Sequence, residues 1–167
     1  MTYALQLSDA ERDRYRLMAA QARTAESTDW IAAGITIGAR IADIGCDPGA
    51  LLRLLADIVG PDGIADGVDQ DPDAVTAAHH EIRGLDQASA RIGSATDSGL
   101  PSGTYDVVMC RHVLAHNGGT ETAILAHLTD LARPGGTVYL VDADLPATAV
   151  LVTVYCVRWR DMSQQGT

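Results

Sequence analysis

The chain has 167 residues, 47% of them hydrophobic and only 4% aromatic, with no Phe, so it is long enough for one domain with an aliphatic core. Its net charge of −10 leaves no basic surface for nucleic-acid phosphates and argues equally against an anionic membrane. Cys46, Cys110 and Cys156 are far apart and lack metal-ligand spacing, which suits reduced thiols. With no signal pattern and no apolar run of membrane-spanning length, a cytoplasmic protein is expected.

Ser8-Asp-Ala-Glu11 has capping-box spacing and predicts a helix to about Ala25, with Leu17, Met18 and Ala22 on its buried side. A second helical piece over 27–33 ends at Gly34, giving an N-terminal helical element over 1–34. From Arg40 onward, strand and helix patterns alternate. Strands are predicted at 40–44, 63–68, 90–92, 105–110 and 137–141, and helices at 48–59, 72–84 and 120–132. The central strands are nearly continuous β-branched and apolar runs, as helices on both faces of a parallel sheet require. The expected fold is therefore α/β, a doubly wound, mostly parallel sheet of about five to six strands. Residues 60–63, 101–103 and 133–136 read as turns. The core should span 35–144. Residues 145–167 hold one more apolar run at 150–157, with no room for a crossover helix, so it should be antiparallel or poorly docked.

The most informative stretch is Asp43-Ile-Gly45-Cys46-Asp47-Pro48-Gly49, followed by Gly67-Val-Asp69. An apolar run ends in a glycine-containing turn, a helix follows, and the next apolar run ends in an acid. That order suits a nucleoside-containing cofactor whose ribose hydroxyls are held by Asp69. A dinucleotide fingerprint would need glycines at 45, 47 and 50, where this chain has Gly45, Asp47 and Ala50. Asp47-Pro48 looks like a helix N-cap and first helical residue, and its carboxylate would repel a pyrophosphate. A P-loop is absent as well.

On these residues the sequence resembles the class I S-adenosylmethionine-dependent methyltransferases, from about Ile41 to Asp144. The first motif of that family commonly reads D-I-G-C-G-P-G. Val68-Asp69-Gln70-Asp71-Pro72 resembles its ribose segment, and Thr96-Asp97 with Pro101 the stretch beside the adenine. Residues 105–116 resemble its fourth-strand motif, and 131–136 the turn before strand five. The resemblance implies a Rossmann-like fold and S-adenosyl-L-methionine as cofactor. It also implies a cofactor site built from Asp43, Gly45, Cys46, Asp47, Gly49, Asp69, Gln70, Thr96, Asp97 and Arg111. Asp43 would orient the turn and the amino-acid end, Asp97 would approach the adenine amino group, and the two glycines would leave room for the ligand. Arg111 stands ready for an anionic acceptor or for solvent.

His112 and His116 have the spacing of a helical metal pair, but no third ligand is evident and no metal is expected. In the family this loop faces the cofactor, so either histidine could take a proton from the acceptor, with core packing as the competing role. The expected function is direct methyl transfer to a small-molecule acceptor. The competing expectation is a catalytically silent partner protein, because Asp47 replaces a family glycine and the chain looks shortened after strand five. An apolar edge near 150–157 would then invite pairing with a second copy.

Overall fold

The computed structural model describes residues 8–142 and the strand at 155–158. A long helix opens it, α1 (Asp9–Ala33). Ser8 caps it: its hydroxyl accepts from the Glu11 amide, the Glu11 carboxylate accepts from the Ser8 amide, and Gly34 closes the far end in a left-handed conformation. The two predicted helical pieces are thus one continuous helix. Its buried stripe is Ala19, Ala22, Glu26, Trp30 and Ala33. Ala22 is buried as expected, but Leu17 and Met18 are 59% and 50% exposed. They lie off the 3.6-residue stripe that meets the sheet.

The rest alternates as predicted: β1 (Arg40–Ile44), α2 (Ala50–Val59), β2 (Ile64–Asp69), α3 (Pro72–Glu81), β3 (Ala88–Ile92), β4 (Tyr105–Arg111), α4 (Glu121–Leu131), β5 (Ala132–Val141) and β6 (Tyr155–Arg158). The six strands lie in the order β3-β2-β1-β4-β5-β6. Five are parallel, and β6 runs antiparallel to β5. Part of the predicted final strand, 150–154, lies outside the described residues. The predicted turn at 133–136 falls inside β5, where the pairing with β4 slips between Tyr105 and Val107 and Gly135 takes φ 78°.

Strand parity divides the core. Ile41, Val107, Met109, Tyr139 and Val141 pack toward α1 and α2, whereas Ala42, Ile44, Val108, Cys110, Val138 and Leu140 pack toward α4. Both faces of the central strands are buried, which explains the unbroken apolar runs. No helix of the described residues is long and apolar enough to cross a membrane. The strand order reverses between β1 and β4, and their carboxyl ends open a crevice there.

Candidate active site

Beyond β1 the chain makes a tight turn clamped to β2. The Gly45 and Cys46 amides both donate to the Val68 carbonyl, at 2.8 and 3.0 Å. Next, the Asp47 amide donates to Asp69 Oδ2 at 3.0 Å, while Asp69 Oδ1 accepts from the Asp71 amide at 2.9 Å. Asp69 therefore ties the turn to the start of α3, and Asp71 caps that helix through the Asp73 amide. The turn uses up the residues expected to open α2. Asp47 sits in the left-handed region at φ 49°, the helix begins at Ala50, and its N-cap is Gly49. The expectation of an Asp47 cap and a Pro48 helix start is corrected accordingly.

Both turn glycines are sterically required. A Cβ on Gly45 would come within 2.6 Å of Val113, so this glycine lets the loop after β4 close over the turn. On Gly49 it would meet the Ala78 backbone at 2.8 Å. Gly49 thus allows α2 and α3 to approach each other and does not border the cleft.

A cleft of about 460 Å³ opens at the switch point. Eight expected residues line it: Gly45, Asp47, Asp69, Gln70, Thr96, Arg111, His112 and His116. Val68 and Ile124 give it apolar walls. Asp43 and Cys46 border instead a recess of about 90 Å³ beneath α1, walled by Tyr15, Met18, Ala22 and Leu51. Gly45, Asp47, Arg111 and His112 line both spaces and join them. Asp97 is exposed in a turn closed by reciprocal backbone bonds with Ser94 and lines neither space. That turn is pinned to α4 by Ser98, whose amide donates to His127 Nε2 at 3.1 Å.

The two sides of the opening differ in charge. Asp43, Asp47 and Asp69 come from the β1 and β2 side. Asp43 is 1% exposed, and its Oδ2 has no hydrogen-bond partner among the described residues. Burial, with the Asp47 carboxylate next, pushes its pKa up to about 8, although Arg111 pulls the other way. Asp47 is lifted to about 6 by loss of solvent and by Asp69. Burial, then these acids, also pushes the Cys46 thiol far up, so it is inert as a nucleophile. Arg111 ends β4, and His112 follows it. The histidine is left-handed at φ 55°, and burial followed by the Arg111 charge holds its pKa below the ordinary value. His116 ends a single 3₁₀ turn, Leu114–His116, so the helical pair spacing of the two histidines is not realised as a helix.

Arg111 is not free at the mouth. It pairs with Glu26 of α1 at 2.5 Å, and the same Glu26 oxygen accepts from Tyr139 Oη at 2.9 Å and Trp30 Nε1 at 3.1 Å. Sequence reasoning missed Glu26. Its signal was a lone charge in phase with the buried stripe of α1.

A buried carboxylate oxygen without a partner, two further acids and close-approaching glycine backbone fit a ligand with hydroxyls and positive charge, not a phosphate. The open parallel sheet with its site at the switch point defines a nucleoside-cofactor-binding α/β domain of the Rossmann-like type. Residues 41–136 match the methyltransferase domain family. The chain belongs to that family, the class I S-adenosylmethionine-dependent methyltransferases.

Nocamycin O-methyltransferase of Saccharothrix syringae is 36% identical over 105 residues, 62% of this chain and 37% of that protein. A ubiquinone biosynthesis O-methyltransferase of Methylococcus capsulatus is 31% identical over 119 residues, 70% of this chain and 48% of its own. The chain therefore spans half or less of the length of these two relatives. The fold is shared with a SAM-dependent methyltransferase from Aquifex aeolicus, at a TM-score of 0.67 and 18% identity over 82% of this chain and 76% of that one.

Proposed function

We propose that the chain binds S-adenosylmethionine in the switch-point cleft and methylates a hydroxyl of a small-molecule acceptor. The observation that carries this reading is the acid pair at adjacent strand ends. Asp43 has an unpartnered buried oxygen, and Asp69 borders a cleft of about 460 Å³. The cofactor, when bound, supplies a methyl group made electrophilic by its sulfonium.

Asp69 is already held by two amides and has lone pairs left for ribose hydroxyls. Gly45 lets backbone approach the ligand, Asp43 takes its charged amino-acid end, and Val68, Ile124 and Thr96 wall the bay for the base. Gln70 extends the ribose side, while Arg111, neutralised by Glu26, shapes the passage to the recess. Most of the rate comes from holding the reacting groups in line. His112, at the junction of cleft and recess, is neutral near pH 7 and accepts the acceptor's hydroxyl proton on an imidazole nitrogen. The recess beside α1, which Asp43 borders, takes the amino-acid end of the cofactor, and the acceptor approaches through the cleft past His112 and His116. The names of the relatives support a small-molecule acceptor, nocamycin O-methyltransferase and aklanonic acid methyltransferase among them. We further assign a cytoplasmic setting, supported by two buried free thiols, and self-association through β6, which ends the strand order.

Isothermal titration with S-adenosylhomocysteine tests the assignment. The parent chain should bind in the micromolar range, and Asp69→Ala should lose that affinity. Undiminished binding by Asp69→Ala would show that the pocket lies elsewhere.

A further inference from the structure

We propose that Asp47 is a specificity-determining residue that makes the cleft select its ligand by charge, retaining a sulfonium nucleoside and releasing the neutral thioether left after transfer. The proposal deepens the cofactor assignment above and rests on it.

The turn needs a residue in the left-handed region at position 47, where φ is 49°. Glycine meets that demand at no cost, and asparagine meets it without charge. Aspartate instead adds a third carboxylate beside two others. Burial first, and then the neighbouring carboxylates, raise the pKa of both Asp43 and Asp47: Asp47 and Asp69 act on Asp43, and Asp69 acts on Asp47. Such an arrangement is unfavourable in the empty protein and favourable once a cation arrives.

The groups around Asp47 do not supply that cation. Asp69 faces it from β2 and Asp43 from β1, with the neutral Cys46 thiol between them. From β4, Arg111 borders the same spaces but is committed to Glu26 at 2.5 Å, and His112 beside it is held neutral. From α1 comes only the Tyr15 phenol, which lines the recess. Among the described residues no arginine forms an ion pair with Asp43, Asp47 or Asp69. An independent sign of a missing partner is Asp43 Oδ2, buried in the recess that Asp47 also lines and without a hydrogen bond.

When a methyl group leaves sulfur for the acceptor oxygen, the C–S electron pair stays on sulfur and the acceptor's proton leaves to a base. The ligand loses one positive charge, and one attraction to Asp47 is lost with it. In a partly solvated cleft a unit charge a few ångströms away changes affinity by about 3- to 30-fold.

The test is calorimetric titration of parent, Asp47→Gly and Asp47→Asn with three probes. These are S-adenosylmethionine, the amine-bearing analogue sinefungin and S-adenosylhomocysteine. In both variants the preference for the two cationic probes over S-adenosylhomocysteine should fall by about 3- to 30-fold, with affinity for the neutral probe unchanged or improved. Glycine suits the turn, so Asp47→Gly decides the matter should the asparagine variant fold poorly. Removing the Asp47 charge also eases ionisation of Asp43, which works against the expected fall, so a fall in preference at pH 7.5 reads the Asp47 charge itself. An unchanged preference in the variants, or a parent preference retained by Asp47→Asn and lost by Asp47→Gly, overturns the role of the charge and leaves the cofactor assignment standing. Failure of the parent to bind any of the three probes overturns both.

Discussion

Replacing Glu26 by alanine should be among the most damaging single changes in this fold, although it lies on a helix that sequence reading treats as peripheral. The Glu26 and Arg111 side chains are only 10% and 14% exposed, and their charged atoms lie 2.5 Å apart. Taking one member from a buried pair leaves the other charge desolvated and alone, at a cost of about 3–5 kcal/mol. Tyr139 Oη and Trp30 Nε1 lose their acceptor in the same step, and these residues are 0% and 2% exposed. The orphaned donors keep the total at or above about 4 kcal/mol, a large part of the roughly 5–15 kcal/mol that holds an ordinary domain. Urea unfolding followed by circular dichroism should show a fall of that size. Glu26→Gln, which keeps an acceptor but not the charge, should lose about half as much.

The acid limb has a definite sign. Burial works to raise the Glu26 pKa, but Arg111 first, then Tyr139 and Trp30, hold it below 4.5 overall. Its contribution is therefore complete above about pH 4.5 and fades as the pH drops through the lower folded value. Glu26→Ala should lack that part of the acid sensitivity. A stability within about 1 kcal/mol of the parent, the size expected of an exposed pair, would refute the reasoning.

Two further outcomes follow from the turn and its neighbours. Gly49→Ala combines φ 86° with a 2.8 Å approach to the Ala78 backbone, and thermal melting should record a loss of about 2–4 kcal/mol. His112→Asn keeps a residue tolerant of φ 55° and removes the proton acceptor. Once an acceptor is in hand, kcat should drop about a hundredfold with little change in cofactor affinity, and an unaltered kcat would assign His112 to packing.

The parts of the molecule that repeat with a period were readable in the chain. Ser8 and Glu11 form both bonds of the box, the apolar runs become β1, β2, β4 and β5, and Asp71 caps α3. What escaped depends on backbone geometry that pattern alone does not encode. The run from Asp47 to Gly49 reads as a cap followed by a helix, yet three successive amides must reach Val68 and Asp69, so the helix starts later. Arg111 was expected at the site and lines it, but its pairing with Glu26 escaped for another reason. Each looks like an ordinary surface charge in its own element, and only their shared phase marks them as a pair. Glu26 falls in register with Ala22 and Trp30, and Arg111 in register with Val107 and Met109.

That shared phase also explains why the site carries opposite charges on its two flanks without collapsing into one salt bridge. Asp43 follows Ile41 with the parity of the face packed by α1 and α2, and Arg111 follows Met109 on the same face. Two neighbouring parallel strands thus deliver an acid and a base to the same end of the sheet. Arg111 already draws the Asp43 pKa down, against burial and the neighbouring acids. Glu26 binds the guanidinium from α1, and among the described residues no guanidinium forms an ion pair with the acids on the β1 and β2 side. On the cofactor assignment proposed above, the helix does more than cover the sheet: its one buried charge would keep Asp43 and Asp47 open to a cationic ligand. Glu26→Gln, though folded, should weaken S-adenosylmethionine binding by releasing Arg111 toward Asp43, and calorimetric titration of that variant measures it directly.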